Sequence, residues 1–223
     1  MHKKCYAETT FSKYDTIIEI VIKCFFQVEN KAHLPNSTSP QCREVRRYAV
    51  VALTNLTFGN ASVKSYLCSF PGFVEIMVNQ LECNWENLKK ATAHLFRNLA
   101  WKADKTAKSI LSESKVVNVL LTAAMMVGSK AIVETPMGIA VEPNRDEEST
   151  LKVILSALWN LSAHCKKNKS DVCSQDSSLV FLVQLLRSKS TAVVENGGGI
   201  LRNISSFIAT CAQGETFRLV QKL

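Results

Sequence analysis

The stretch Leu53-Thr54-Asn55-Leu56-Thr57-Phe58 decides the fold of this chain, because close variants of it occur three more times. The variants are Phe96-Arg97-Asn98-Leu99-Ala100-Trp101, Leu158-Trp159-Asn160-Leu161-Ser162-Ala163 and Leu201-Arg202-Asn203-Ile204-Ser205-Ser206. Asn98 follows Asn55 by 43 residues, and the last two asparagines are also 43 residues apart. The middle spacing is longer, with 62 residues between Asn98 and Asn160. A helical pattern with a period of ~40 residues predicts a solenoid of stacked helical repeats.

Each copy of the motif belongs to an apolar stripe with helical spacing. In the first copy, Val50, Leu53 and Leu56 lie five and two residues before the asparagine and one residue after it. The second and third copies also have apolar residues at these three positions. Such a stripe becomes buried only when a neighbouring repeat packs against it. We therefore predict an all-α fold, an armadillo-repeat right-handed superhelical solenoid of about four to five units in which the first and last are incomplete.

The repeat divides the chain into an N-terminal extension, residues 1–12, and a repeat region, residues 13–223. The predicted units are approximately 13–58, 59–103, 104–165, 166–208 and a partial 209–223. The unit 104–165 has about 19 additional residues, which fall at 128–148. Because insertions in solenoids occur in loops on one edge, we predict a surface loop there.

The composition provides a large core and a basic surface. The chain has 223 residues, of which 47% are hydrophobic, and a formal net charge of +8. This charge is compatible with an acidic protein partner, nucleic acid or an anionic membrane surface. The Lys and Arg residues are scattered rather than collected in an arm, and the apolar run 17–26 contains Glu19 and Lys23, which disfavours membrane insertion. We expect a cytoplasmic protein with reduced cysteines.

We find no catalytic or metal-binding pattern in the sequence. Gly197-Gly198-Gly199 lacks the Gly-Lys-Ser/Thr sequence that would follow in a phosphate-binding loop, so we predict that these glycines allow close helix packing. The histidines have no partners at zinc-ligand spacing. We therefore predict that the chain is not an enzyme and uses no cofactor.

The four repeated asparagines predict a peptide-binding groove. In a solenoid of three-helix units the third helices line the concave face, and each asparagine there offers both a hydrogen-bond donor and an acceptor. An extended peptide has unpaired N–H and C=O groups at regular intervals, so a row of carboxamides can hold its main chain. The predicted groove residues are Asn55, Phe58, Lys64, Arg97, Asn98, Trp101, Lys102, Trp159, Asn160, His164, Arg202 and Asn203.

The residues beside the asparagines predict the kind of peptide. The basic side chains favour acidic residues in the ligand, and Trp101 and Trp159 offer flat apolar surfaces for anchoring side chains. An import-type adaptor for basic cargo would need an acidic groove, whereas Arg97 and Arg202 make this one basic. We therefore expect acidic or mixed peptide segments as ligands.

Three alternatives stay open at this point. The asparagines can instead bridge to the backbone of a neighbouring helix, which would be a structural role. A helical-repeat protein that binds nucleic acid would account for the net charge, and it predicts a steep salt dependence of binding. The insertion 128–148 contains the acidic run Asp146-Glu147-Glu148, so it can also be an inhibitory arm that folds toward the groove.

Long segments of the chain resemble the armadillo repeats of the adenomatous polyposis coli family. They are Arg46-Arg47-Tyr48-Ala49 with Ala52-Leu-Thr-Asn-Leu-Thr-Phe-Gly59, Arg97-Asn-Leu-Ala-Trp-Lys-Ala-Asp104, Ser156-Ala-Leu-Trp-Asn-Leu-Ser-Ala-His-Cys165 and Glu195-Asn-Gly-Gly-Gly-Ile-Leu-Arg-Asn-Ile-Ser-Ser206. The resemblance extends over approximately residues 13–223, and the insertion 128–148 departs from it.

The resemblance implies a scaffold in negative regulation of Wnt/β-catenin signalling and in control of the cytoskeleton and cell migration. It implies binding of extended segments of partners such as a Rho-family guanine nucleotide exchange factor. The matching positions are Asn55, Lys64, Arg97, Asn98, Trp101, Lys102, Trp159 and Asn160. β-Catenin would be bound only indirectly by this region, and the location would be the cytoplasm, the cytoskeleton or the cell cortex. A β-catenin-like armadillo adaptor is the alternative within the same class.

Overall fold

The structure is a computed structural model that describes residues 16, 18–23 and 40–211. The helices are α1 (residues 18–23), α2 (Pro40–Leu56), α3 (Ala61–Ser69), α4 (Phe73–Glu82), α5 (Glu86–Ala100), α6 (Lys105–Glu113), α7 (Val116–Ser129), α8 (Arg145–Ser162), α9 (Lys166–Cys173), α10 (Asp176–Leu185) and α11 (Thr191–Cys211). Two strands, β1 (Ile132–Thr135) and β2 (Gly138–Val141), lie between α7 and α8. The chain is therefore mostly helical, as predicted. The predicted extension 1–12 and residues 212–223 of the last unit lie outside the described residues.

The four motif asparagines lie on the helices α2, α5, α8 and α11, which contact one another in sequence order. Two shorter helices separate each of these helices from the next. α3 contacts α6, and α4 contacts α7, so equivalent short helices also lie side by side. This arrangement brings residues more than 40 positions apart in the sequence into contact.

The predicted apolar stripe forms the core between the asparagine helices. Leu53, Phe96 and Leu158, each two residues before an asparagine, are fully buried. Leu99 and Leu161, one residue after an asparagine, are fully buried as well. Burial of each large apolar side chain contributes about 1.5–3 kcal/mol, so these helices are stabilised by their neighbours rather than alone.

The helices α6 and α7 contribute to the same core. Leu111, Leu120 and Ala124 are fully buried. Among the described residues, no single helix is long and apolar enough to cross a membrane, and α6 and α7 meet those criteria only as a pair bent by 64°.

Polar side chains define where the short helices begin. Asn60 caps α3 because its side-chain oxygen accepts a hydrogen bond from Val63 N at 3.1 Å. Asp104 caps α6 in the same way, with Ala107 N at 2.9 Å. Its carboxylate also accepts a hydrogen bond from the Ser65 hydroxyl on α3, and these two interactions lower the pKa of Asp104. The cap of one helix thus also joins two equivalent helices.

The insertion 128–148 is not a simple loop, which corrects our prediction. Its first residues end α7, and a two-stranded antiparallel hairpin follows with Ile132 opposite Val141. Ala140 and Val141 are fully buried, and β2 contacts α10. Arg187 Nη1 donates to the carbonyl of Ile139 at 3.4 Å. Each strand has only four residues, which is too short to be distinguished from a loop in the sequence, whereas packing on α10 fixes the segment as a hairpin.

The alternative of an acidic inhibitory arm is also wrong. Asp146, Glu147 and Glu148 form the first turn of α8, where negative charge is favourable next to the helix N-terminus. Asn144 and Glu147 form a capping box, with Asn144 N donating to Glu147 Oε2 at 3.0 Å. The carboxylate of Glu148 accepts a hydrogen bond from the hydroxyl of Ser190. These carboxylates therefore stabilise α8 and its connection to the residues just before α11.

Candidate functional site

A groove of about 510 Å³ runs across α5, α8 and α11. We call it the asparagine groove. It is lined by Phe58, Arg97, Asn98, Trp101, Ser156, Trp159, Asn160, Ala163, Arg202 and Asn203. Eight of the twelve predicted groove residues are in this lining. Asn55, Lys64, Lys102 and His164 are not.

The three asparagines of the groove make one repeated interaction. Asn98 Nδ2 donates to the carbonyl of Thr54 at 3.1 Å, and Asn160 Nδ2 donates to the carbonyl of Arg97 at 3.1 Å. Asn203 Nδ2 donates to the carbonyl of Trp159 at 2.9 Å. The acceptor is in each case the residue just before the preceding asparagine. The bridging role left open by the sequence is therefore present, and it fixes the spacing of the carboxamides.

The bridges leave part of each carboxamide for a ligand. A carboxamide has two N–H donors and one oxygen acceptor. Asn203 Nδ2 also donates to Ser162 Oγ at 3.0 Å, so both of its donors have partners. Among the interactions of the described residues, Asn98 and Asn160 each retain one N–H and the oxygen. These two can pair with both an N–H and a C=O of an extended peptide, whereas Asn203 offers its oxygen alone.

Asn55 has a different environment from the other three asparagines. It is exposed on α2 and is not part of the groove lining. The neighbouring carbonyl of Thr54 is the acceptor of the first bridge in the row. Asn55 therefore lies at the start of the described row, and the groove proper begins at Asn98.

Aromatic side chains form the walls of the groove. Phe58 is 79% exposed and Trp101 is 56% exposed, which is unusual for such large apolar groups and leaves their faces open to a ligand. Trp159 is half-buried and packs against Gly199. A Cβ atom at position 199 would lie 2.3 Å from the Trp159 ring, so only glycine allows this position of the indole.

The electrostatics of the groove are basic. Arg97 and Arg202 are in the lining, which contains no Asp or Glu among the described residues. Lys102 is exposed beside it, with Nζ 5.8 Å from the centre of the Trp101 ring. Lys102 lies four residues after Asn98 and has φ 47°, in the left-handed region. The equivalent residue four positions after Asn55 is Gly59, with φ 71°. The chain thus places a lysine at the rim in a backbone conformation that favours glycine.

Lys64 does not extend over the groove as we expected. It is 2% exposed, and its ammonium donates to the carbonyl of Trp101 at the end of α5. Burial lowers the pKa of Lys64. The residue lies on the buried face of α3, beside Val63 and Leu67, where it stabilises a helix C-terminus. The sequence position was near the groove, but the orientation of α3 turned the side chain inward.

His164 lies in an adjoining cavity instead of the groove itself. Burial, and then the charge of Lys108, lowers the pKa of His164 to about 4, although a hydrogen bond with the backbone of Ala100 opposes this shift. Nδ1 is buried and has no hydrogen-bond partner among the described residues. His164 is therefore neutral at pH 7.

Two lining residues, Ser156 and Ala163, were missed in the sequence, whereas the prediction that Gly199 allows close helix packing is confirmed by its contact with Trp159. Ser156 lies four residues before an asparagine, and Ala163 lies three residues after one. One helical turn separates such positions from the asparagine on the same face, so this spacing could have identified Ser156. Ala163 is small where other copies have Phe58 and Trp101, which gave no signal. The described residues contain no group of three or more His, Cys, Asp or Glu that could hold a metal ion.

Comparison with known proteins places the chain in a family. No protein-family model matches it. The adenomatous polyposis coli protein of Homo sapiens is 45% identical over 170 residues, which cover 74% of this chain and 5% of that protein. Adenomatous polyposis coli protein 2 of Homo sapiens is 40% identical over 82% of the chain and 7% of its own length. The adenomatous polyposis coli protein-related protein 1 of Caenorhabditis elegans is 32% identical over 78% of the chain and 13% of its own length.

The relatives are far longer than the matched region, so the chain spans only a small part of their length. The identity is nevertheless high over most of the chain. The chain belongs to the adenomatous polyposis coli family.

Proposed function

We propose that the chain is a non-enzymatic scaffold that binds an extended acidic peptide segment of a partner protein in the asparagine groove. One observation carries this proposal. Asn98, Asn160 and Asn203 are held in a row by the same inter-helix hydrogen bond, inside one groove that also contains two arginines. A structural role alone requires the bridges but not the basic and aromatic lining around them.

The proposed architecture makes this groove concave. The helix triplets would be successive units of a right-handed armadillo solenoid, approximately 59–103, 104–165 and 166–208, with α5, α8 and α11 as their third helices. Concave surfaces of solenoids are large and regular, which suits a long extended ligand. The sequential contacts of the asparagine helices support this arrangement.

Binding would combine three interactions. The free N–H and oxygen of Asn98 and Asn160 would pair with the peptide main chain, at about 0.5–1.5 kcal/mol for each hydrogen bond. Arg97 and Arg202 would pair with carboxylates, and hydrogen bonds between charged groups are stronger. Trp101 and Trp159 would contact apolar side chains between the acidic ones. An alternating acidic and apolar segment fits all three interactions.

Family membership supports a more specific role. The chain would act within an adenomatous polyposis coli-type negative regulator of Wnt/β-catenin signalling and of cytoskeletal organisation. Its ligands would include a segment of a Rho-family guanine nucleotide exchange factor, and β-catenin would be reached only indirectly. It would act in the cytoplasm, at the cytoskeleton or the cell cortex.

Panning of random dodecapeptides displayed on phage against the whole chain tests the groove. We expect an acidic consensus, and Arg97→Ala should weaken binding of the synthetic consensus peptide about tenfold, because a charge-assisted pair is lost. Arg145→Ala is the matched control, since Arg145 is exposed and outside the lining. Equal affinities for wild type and Arg97→Ala would remove the groove from the mechanism. Tight binding of DNA with a steep salt dependence would favour the nucleic-acid alternative.

A further inference from the structure

A second cavity, of about 460 Å³, adjoins the asparagine groove. Ala163 lines both. α11 also runs through both, because Arg202 and Asn203 line the groove, whereas Ser206, Phe207 and Thr210 line the second cavity. A ligand segment that lies across α8 and α11 therefore borders this space.

The lining of the second cavity is basic. Lys166 and Lys169 of α9 line it, and its lining contains no Asp or Glu among the described residues. Lys108 is close enough to act on His164 through its charge. We call this space the lysine cavity, defined by Lys166, Lys169, His164, Ser206, Phe207 and Thr210.

The two lysines of the cavity differ from their neighbour Lys167. Lys167 Nζ pairs with Asp171 Oδ2 at 3.1 Å on the same helix. Neither Lys166 nor Lys169 forms an ion pair with a described residue, and Lys166 is exposed. Their charges are therefore available to a ligand, whereas the charge of Lys167 is already compensated.

The remaining lining groups suit an acidic side chain. The Ser206 hydroxyl is exposed and can donate a hydrogen bond to a carboxylate. Phe207 is half-buried and offers an apolar surface to a methylene stem.

We propose that the lysine cavity is a second subsite for the same peptide and takes an acidic side chain of the segment that lies across α8 and α11, with Lys166 and Lys169 pairing its carboxylate. This inference rests on the proposed function. An extended peptide advances about 3.3 Å per residue, and the two cavities share a lining residue. The additional acidic residue therefore lies within a few positions of the acidic centre. The lysine cavity would make the chain select peptides with an acidic end as well as an acidic centre.

Charge reversal of the cavity tests this proposal without requiring a known partner. Random dodecapeptides displayed on phage are panned against the wild-type chain, Lys166→Glu/Lys169→Glu and Lys167→Glu. We expect the wild type to select an acidic centre and a further acidic residue toward one end. The double variant should keep the acidic centre but replace the acidic end with Lys or Arg. The control Lys167→Glu should select the wild-type consensus.

The synthetic wild-type consensus peptide provides the second measurement. The neutral double variant Lys166→Gln/Lys169→Gln should bind it about tenfold more weakly, because charge-assisted hydrogen bonds are lost. The reversed charges lie in the first turns of α9, where negative charge is favourable, so thermal midpoints should match the wild type. The neutral pair keeps the test valid if the reversed pair fails to fold.

The outcomes separate this proposal from the proposed function. An unchanged consensus with the charge-reversed double variant, or an affinity of the neutral double variant equal to that of the wild type, would overturn the lysine cavity while the groove stands. The absence of any acidic consensus for the wild type, or the same affinity after Arg97→Ala, would overturn both.

Discussion

The two ends of α8 are joined by different means to α11 and to the residues just before it. At its C-terminal end, Asn203 of α11 donates to the carbonyl of Trp159, and the same bridge occurs in every described step of the row. At its N-terminal end, Glu148 accepts from Ser190, and Glu142, three residues before α8 begins, accepts through Oε1 from Lys189 N at 2.8 Å. The first connection is repeated and lines a groove, whereas the second belongs to one insertion.

This difference separates two uses of a polar contact. A repeated carboxamide that bridges helices also presents its remaining atoms at a regular spacing, which suits a peptide main chain. The contacts of the hairpin occur once and offer no regular spacing. We therefore expect changes at the groove end to alter both stability and peptide affinity, and changes at the hairpin end to alter stability alone.

The largest effect is expected at Gly199, beneath the Trp159 ring. Gly199→Ala introduces a Cβ atom 2.3 Å from the indole, and overpacking of this kind costs about 1–3 kcal/mol. Gly198→Ala is the matched control, because its Cβ atom would lie 3.7 Å from Leu186, at ordinary contact distance. It should gain up to about 1 kcal/mol of helix propensity. The free energy of unfolding in urea and the affinity for the consensus peptide are measured for both variants. Equal stability of the two variants would contradict this packing.

The next effect concerns the bridge itself. Asn160→Ala removes the hydrogen bond to the carbonyl of Arg97, which also accepts from Trp101 N at 3.0 Å and so stays satisfied. We expect a loss of about 1 kcal/mol in the free energy of unfolding, together with weaker peptide binding. Asn118→Ala, at an exposed position of α7, is the control. If Asn160→Ala changed stability but left peptide affinity untouched, the asparagine row would be structural only.

A smaller effect is expected at the hairpin end. Glu142→Ala removes the acceptor of Lys189 N, an exposed contact worth about 0.5–1 kcal/mol. Peptide affinity should not change, since no hairpin residue lines the groove. Glu134→Ala, on the exposed face of β1, should alter neither quantity. Altered peptide affinity in Glu142→Ala would break the separation between the two ends of α8.

The smallest effect is expected at Lys102, at the rim of the groove. Its φ of 47° is unfavourable for a residue with a Cβ atom. Lys102→Gly relieves this strain, but glycine has greater conformational freedom in the unfolded chain, which offsets part of the gain. The net stabilisation of the fold should be about 0.5 kcal/mol. Lys102→Ala keeps the strain and removes the same charge. Both variants should lower affinity for the consensus peptide to the same extent, and a stability gain in Lys102→Ala instead would exclude backbone strain.

Much of the groove could be predicted because its residues repeat at fixed distances from an asparagine. Arg97, Trp101 and Trp159 were found in this way, and Ser156 could have been. Lys64 was misplaced because its distance from Asn55 does not fix which face of α3 it occupies. Lys166 and Lys169 were not singled out, since three lysines lie together on α9 and only their positions in the helix separate Lys167 from the other two.

The sequence by itself determined the mostly helical character, the buried apolar stripe and the position of the asparagines on helices, because helical periodicity is a local property of the sequence. Only the tertiary structure decided which carbonyl each carboxamide contacts, that Lys64 is buried, and that residues 132–141 form a hairpin against α10. The asparagine bridges join residues 44 or 63 positions apart. Such contacts depend on how the helices are placed against one another, which no local pattern specifies.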